Sequence, residues 1–224
     1  FLITHNNPIE TAVFLDNLTE KTGEKYNLYV YDYYDGNEDL KKALIKATEQ
    51  TEGQYVSITK TNPVGIYDTI THKGVSEVKP SGYSRIFLYN RMLENLTQDY
   101  GVFLDINYLL NQRWLADLKY YYNSIKKSGC VSIKCTFKDL ELSVALFEDE
   151  TKEEDTLNTI WVNTTNVMKS FIFFSKENAQ KVGKIDENLQ ESGLELAEWS
   201  FRFLREGLTN YYITQNSVIR YPIE

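Results

Sequence analysis

The sequence predicts an α/β domain: a mainly parallel central sheet flanked by helices, with a smaller antiparallel portion toward the C-terminus. Three observations carry that expectation. Short β-branched and aromatic runs alternate with segments of helical period from Phe1 to Ile58. Apolar runs end in polar clusters: Thr4-His5-Asn6, Asp32 with its turn, and Asp105-Ile106-Asn107. A late stretch, KVGKIDENLQESGLELAEWSFRFLREG, carries an acidic pair and then a helix with glutamates first and arginines last.

Each element has its own warrant. Phe1 to Thr4 is a short apolar strand. Asn7 as N-cap, Pro8 at the first helical position and Glu10 start a helix whose apolar positions are Ile9, Val13, Phe14 and Leu18. Leu28 to Tyr31 reads as a second strand, stopped by a turn from Asp32 to Asn37. Leu40, Ala43, Leu44 and Ala47 then recur at helical spacing, and Tyr55 to Ile58 is a third strand. Strand–helix–strand alternation implies parallel pairing with right-handed crossovers. Thr59 to Gly82 has no clear period and reads as a long loop with short extended pieces.

From about Tyr83, a helix presents Ile86, Tyr89, Leu93 and Leu96 on one face. Gly101 to Leu104 then runs apolar into Asp105, as a buried strand does at a polar site. A helix spans Gln112 to Lys126. Strands follow over Cys130–Phe137 and Leu140–Leu146, and Glu148 to Asp155 is a solvated acidic loop. Phe171 to Phe174 is a buried strand, and Ser175 caps a short helix ending at Gly183. The last helix begins near Leu194 with Glu195 and Glu198 in its first turn. Arg202 and Arg205 follow, and Gly207 closes it. Glu198 and Arg202 are four apart and suited to a surface ion pair.

Composition excludes several function classes. A chain of 224 residues, 42% hydrophobic, can bury one substantial core, and neither repeat nor linker divides it. A net charge of −8 argues against nucleic acid as partner, because phosphate backbones select clustered Lys and Arg. No apolar run reaches the ~18 residues of a transmembrane helix. No signal-peptide pattern occurs, and Phe1-Leu2-Ile3 already reads as strand, so the natural N-terminus is expected further upstream. Cys130 and Cys135 fall on opposite faces of one strand and are not expected to pair. With them, a reducing cytoplasm fits best. His5 and His72, far apart, do not suggest a two-histidine metal site. No Walker-type or dinucleotide-type glycine loop and no Gly-x-Ser-x-Gly elbow appears.

On these residues the chain resembles the family-two glycosyltransferases of the GT-A fold over nearly its whole length. FLITHNNPIETAVFLDNL is similar to that family's opening strand and helix, and LYVYDYYDGNED to its second strand and Asp-containing turn. YGVFLDINYLL stands in place of the strand leading to the Asp-x-Asp motif. VGKIDENLQESGLELAEWSFRFLREG resembles the late segment with its Glu-Asp pair, arginine and glycine.

The resemblance implies a single domain over residues 1–224, with residues 1–110 binding nucleotide and 111–224 binding acceptor. It implies inverting, metal-dependent transfer of a sugar from a nucleoside-diphosphate donor, most simply a UDP-sugar, to a glycan or other hydroxyl acceptor. The setting is polysaccharide biosynthesis, cytoplasmic or peripheral at the membrane. Thr4, His5, Asn6, Asp32 and Tyr33 would contact the nucleotide, and Arg85 could meet phosphate or form surface salt bridges. Asp105 and Asn107 would hold a manganese or magnesium ion, weakly and with the nucleotide's help. Two family positions differ: Asn107 replaces the second Asp of the metal motif, and Leu196 stands where the late base is expected. Glu195 and Glu198 are then the carboxylates available for catalysis. Val218-Ile219-Arg220 occupies the region of a later histidine. Two other readings stay open: a catalytically degenerate domain that binds nucleotide, glycan or protein, and a nucleotidyltransferase.

Overall fold

Strand β1 (Leu2–His5) leads into helix α1 (Pro8–Lys21), strand β2 (Tyr29–Tyr34), helix α2 (Glu38–Gln50) and strand β3 (Gln54–Thr59). The computed structural model describes residues 1–5, 7–34, 36–59, 66–68, 74–75, 85–137, 161–164, 171–189 and 195–220. Two short strands, β4 (Ile66–Asp68) and β5 (Gly74–Val75), precede helix α3 (Arg85–Glu94), strand β6 (Tyr100–Phe103) and strand β7 (Tyr108–Leu109). Helix α4 (Trp114–Ser124), strands β8 (Ser128–Phe137), β9 (Trp161–Thr164) and β10 (Ile172–Ser175), helices α5 (Lys176–Val182) and α6 (Glu195–Arg205) and strand β11 (Thr209–Arg220) complete it.

The strands form one run in the order β1-β2-β3-β4-β5 and a second in the order β6-β10-β8-β11-β7, with β9 also on β11. Pairing is parallel through β1, β2 and β3 and between β8 and β11, and antiparallel elsewhere. A parallel bridge between Leu2 and Leu104 joins the two runs, and the Leu104 N–H donates to the Phe1 carbonyl at 2.8 Å. That bridge sets Leu104, just past the carboxyl end of β6, beside Leu2 at the start of β1.

Alternation along the strands sends side chains into two cores, one on each face. Leu2, Val30, Tyr55 and Phe173 face Phe14, Leu44 and Leu118 of α1, α2 and α4. Tyr31, Ile58, Phe103 and Phe174 face Ile86, Met92, Trp199 and Phe203 of α3 and α6. Among the described residues no helix is long and apolar enough to cross a membrane.

Several expectations are revised. In α1 the buried positions are Thr11, Phe14, Leu15 and Leu18, while Ile9 and Val13 are 75% and 50% exposed. The helix rolls so that its tight contacts meet the sheet, which hydrophobicity alone does not select. Asn7 precedes α1 without a side-chain capping bond; Asn37 does cap α2, accepting from the Leu40 N–H at 3.0 Å. The expected cap at Ser175 forms, accepting from the Asn178 N–H at 3.1 Å, and Gly207 closes α6 at φ 72°. Strands β9 and β11 were not anticipated, although Tyr211, Tyr212 and Ile213 carry strand propensity. The strand expected over Leu140–Leu146 and the acidic loop from Glu148 to Asp155 lie outside the described residues. Cys130 is a free, buried thiol that burial pushes far up from its ordinary value, and so an inert one.

Candidate functional site

Asp32 was expected in a turn; β2 instead continues through Tyr34, and Asp32 is 2% exposed within it. Parallel register sets it beside Thr4 on β1 and Ser57 on β3. The Thr4 hydroxyl donates to Asp32 Oδ1 at 2.7 Å and the Tyr55 hydroxyl to Oδ2 at 2.8 Å. A buried carboxylate requires such donors. Here they tie three strands together, so Asp32 orders Thr4 and Tyr55. His5 and Tyr33 pair across β1 and β2, but their side chains, and Asn6 altogether, lie outside the described residues.

Past β6 the chain turns sharply. The Asn107 N–H donates to Asp105 Oδ1 at 3.1 Å, an Asx-type turn that lets Tyr108–Leu109 pair back onto β11. Asp105 therefore sits at the carboxyl edge of the sheet, with Asn107 beside it and both half-buried.

A chain of rings aligns the remaining polar groups with this turn. Tyr89 of α3 packs edge-on against Phe103 of β6 with ring centroids 4.8 Å apart, and Phe103 meets Trp199 of α6 at 5.7 Å. Each ring has a charged residue on the side toward the strand ends: Arg85 one helical turn before Tyr89, Asp105 two residues past Phe103, Glu195 one turn before Trp199. All three charges act electrostatically on the Tyr89 phenol. Burial pushes that phenol up to about 12; Asp105 and Glu195 act in the same direction and Arg85 opposes them. Thus Arg85, Asp105 and Glu195, singled out from distant parts of the sequence, belong to three elements whose rings pack together around Phe103. The Asp32–Thr4–Tyr55 group lies at the same edge but on the opposite face, with Tyr55 in the core under α1 and α2.

Among the described residues, three buried acceptors beside Asp105 and in the first turn of α6 have no protein donor. Five buried side-chain polar atoms have no hydrogen-bond partner among the described residues, and three of them are Asn107 Oδ1, Glu195 Oε2 and Glu198 Oε2. An unsatisfied buried polar group costs about 1–3 kcal/mol, so each of these oxygens favours a donor or a cation beside it. Glu195 is only 4% exposed, at the first position of α6, where the helix dipole favours its charge. Glu198 is partly committed: its Oε1 accepts from Arg202 Nε at 2.8 Å, as the four-residue spacing predicted.

The preceding segment is pinned. Asn90, 2% exposed, exchanges two hydrogen bonds with the Ile185 backbone and reaches Glu187 Oε1 at 3.3 Å. Trp199 Nε1 donates to the Gly183 carbonyl and an Arg202 guanidinium N–H to the Lys184 carbonyl, each at 2.8 Å. Leu196, in the position expected to hold a base, is 1% exposed in the core with Trp199 and Phe203. Spacing 196–199–203 puts it on the buried stripe of α6.

Tyr55, Tyr89 and Asn90 were not recognised as site residues. Tyr55 and Tyr89 fit their strand and helix faces as core positions. Asn90 carried a signal, a polar residue on an otherwise apolar helix face. Among the described residues no group of three or more His, Cys, Asp or Glu side chains is placed to hold a metal ion. Asp105 with the orphaned Asn107 amide oxygen does offer two hard oxygen donors, and so fits a cation that draws its other ligands from a bound diphosphate.

No protein-family model and no curated protein matches the sequence. Solved structures do. One is GalNAc-T7 with UDP, GalNAc and Mn2+, with a TM-score of 0.67 at 13% identity over 99% of this chain and 43% of that one. Another is the mannosyltransferase PcManGT from Pyrobaculum calidifontis with GDP-Man and Mn2+, with a TM-score of 0.68 at 15% identity over 98% of this chain and 55% of that one. The chain spans about half the length of these structures. The fold is GT-A-like.

Proposed function

We propose that the chain is a glycosyltransferase of the family-two type, moving a sugar from a nucleoside diphosphate, most simply UDP, to an acceptor hydroxyl with inversion. The observation that carries this reading is the placement of Asp105 past the carboxyl end of β6 in a GT-A-like sheet, with Arg85 and Glu195 on helices whose rings pack on that strand. Ligands of open α/β sheets bind at that edge. Thr4, His5, Asn6 and Tyr33 are assigned to the nucleoside, with Asp32 acting through the hydroxyls it orders. Arg85 faces the diphosphate. Asp105 and Asn107 would hold manganese or magnesium, which when bound supplies charge neutralisation for the leaving diphosphate.

Glu195 is the base in this reading. It takes the proton of the acceptor hydroxyl as that oxygen attacks the anomeric carbon. The bond from that carbon to the diphosphate oxygen breaks, and its electron pair leaves with the nucleoside diphosphate. Glu198, tied to Arg202, supports the acceptor side. Residues 1–110 form the nucleotide half and 111–224 the acceptor half, and polysaccharide synthesis in the cytoplasm or at a membrane surface is the setting.

The core position of Leu196 favours a second reading, a nucleotide- or glycan-binding domain without turnover. Calorimetric titration with UDP and GDP, with and without manganese, followed by a donor-hydrolysis assay, tests both. Manganese-dependent binding with turnover that Glu195→Gln abolishes is the expected result. Binding without turnover selects the second reading, and no binding by either nucleotide overturns both.

A further inference from the structure

We propose that Asn17 is a positioning residue for the cation site, an amide on α1 that holds the Asp105–Asn107 turn in its binding geometry. This rests on the functional reading above and adds a residue which that reading does not assign. The Leu110 N–H donates to Asn17 Oδ1 at 2.6 Å, and Asn17 Nδ2 donates to the Leu110 carbonyl at 3.3 Å. One side chain thus satisfies both backbone groups of a residue that is 2% exposed and 93 positions away. The need for it is local. Strand β7 is two residues long, lies at the end of its run, and pairs with β11 through Tyr108–Arg220 and Leu109–Ile219. Leu110 follows directly, where that ladder has ended, and the α1 amide takes the place of a strand partner.

The clamp constrains the turn that precedes it. Upstream, the Leu104 N–H is fixed to the Phe1 carbonyl at 2.8 Å. Downstream, Asn17 fixes Leu110. Between these anchors Asp105 reverses the chain: its Oδ1 accepts from the Asn107 N–H at 3.1 Å and its carbonyl from the Tyr108 N–H at 3.4 Å. One Asp105 oxygen is engaged by the turn, and the Asn107 amide oxygen is buried with no partner among the described residues. How far apart the Asp105 carboxylate and that amide oxygen stand depends on both anchors. A small hard cation demands near-ideal placement of its oxygen ligands, so freeing one anchor should loosen the site. Helix α1 also begins shortly after His5, so one helix joins the strand end assigned to the nucleoside to the clamp on the cation turn.

The test is a manganese titration, in the presence of UDP, of the native protein, Asn17→Ala and Asn178→Ala, read by paramagnetic relaxation of water protons. Asn178 is the matched control. Its amide donates to the Tyr122 hydroxyl at 2.6 Å and the Ser128 carbonyl at 2.7 Å, on the helix that follows β10. The end of β10 pairs with Tyr100 at the start of β6, the opposite end of that strand from Asp105. Melting temperatures are measured alongside. The expected result is that both variants melt below the native protein but only Asn17→Ala binds manganese more weakly. The loss should be about tenfold, as for partners that orient metal ligands. Asn17→Ser, whose hydroxyl is too short to span both Leu110 groups but admits water to them, runs in parallel and should show the same loss if Asn17→Ala does not fold. Native binding with a folded Asn17 variant indistinguishable from it overturns this inference and leaves the functional reading standing. Equal loss in Asn178→Ala also overturns it, since the role would then be general stability. A native protein that binds UDP but no manganese overturns this inference and the metal assignment, and one that binds neither overturns the whole reading.

Discussion

Asn90 and Ile185 exchange a pair of hydrogen bonds across 95 residues of chain: the amide donates to the Ile185 carbonyl at 3.0 Å and accepts from its N–H at 2.8 Å. The side chain thus completes the backbone of an irregular segment that no strand could satisfy. That segment leads to α6 and fixes where Glu195 can stand. Asn90→Ala would orphan two buried backbone groups. We expect a loss of about 1–3 kcal/mol for each, read as a lower urea midpoint at unchanged m-value. An unchanged midpoint would show that the segment finds other partners.

Leu196→Asp would restore the carboxylate that the resemblance expects, yet the position is 1% exposed among aromatic rings. Burying an unpaired charge there should cost several kcal/mol. The variant should melt well below the native protein and gain no transfer activity. A folded variant with faster turnover would mean that α6 rotates when ligand binds.

For the Asp32 group, Tyr55→Phe and Thr4→Val each remove one hydroxyl that a buried carboxylate accepts from. Each should cost about 1–3 kcal/mol of stability, with non-additive effects in the double variant because both lean on one carboxylate. Denaturation of the four proteins as a thermodynamic cycle gives the coupling; strict additivity would argue that Asp32 does not link them.

Asn107→Asp replaces an amide oxygen with a carboxylate beside Asp105. Manganese affinity should rise, both alone and with nucleotide, because a second anionic ligand suits a hard cation. Paramagnetic relaxation of water protons during a manganese titration measures it. Identical titration curves would place the cation elsewhere.

Tyr89 sets an alkaline limit. Its phenol ionises at about 12 in the folded protein against about 10 when unfolded. The neutral phenol's contribution to stability is therefore complete below about pH 10 and is lost as pH rises toward about 12. Tyr89→Phe should lose less stability across that window than the native protein, by urea denaturation at stepped pH. Parallel curves would remove Tyr89 as the cause.

How much was legible in the sequence follows from the range of the forces involved. The strands β1, β2 and β3, the cap at Ser175, the Gly207 stop and the Glu198–Arg202 pair are local, and local residue order specified them. So did the candidacy of Arg85, Asp105 and Glu195, since charged groups at element ends stand out against apolar runs. Tertiary structure decided the rest. The Leu2–Leu104 bridge set the height of Asp105, and the Tyr89–Phe103–Trp199 rings packed α3 and α6 onto β6. Packing against the sheet turned Ile9 outward and Leu196 inward, and register made Asp32 a buried link rather than a turn residue. Burial and long-range pairing depend on what the rest of the chain places opposite a side chain. A residue's own neighbours in sequence do not carry that information.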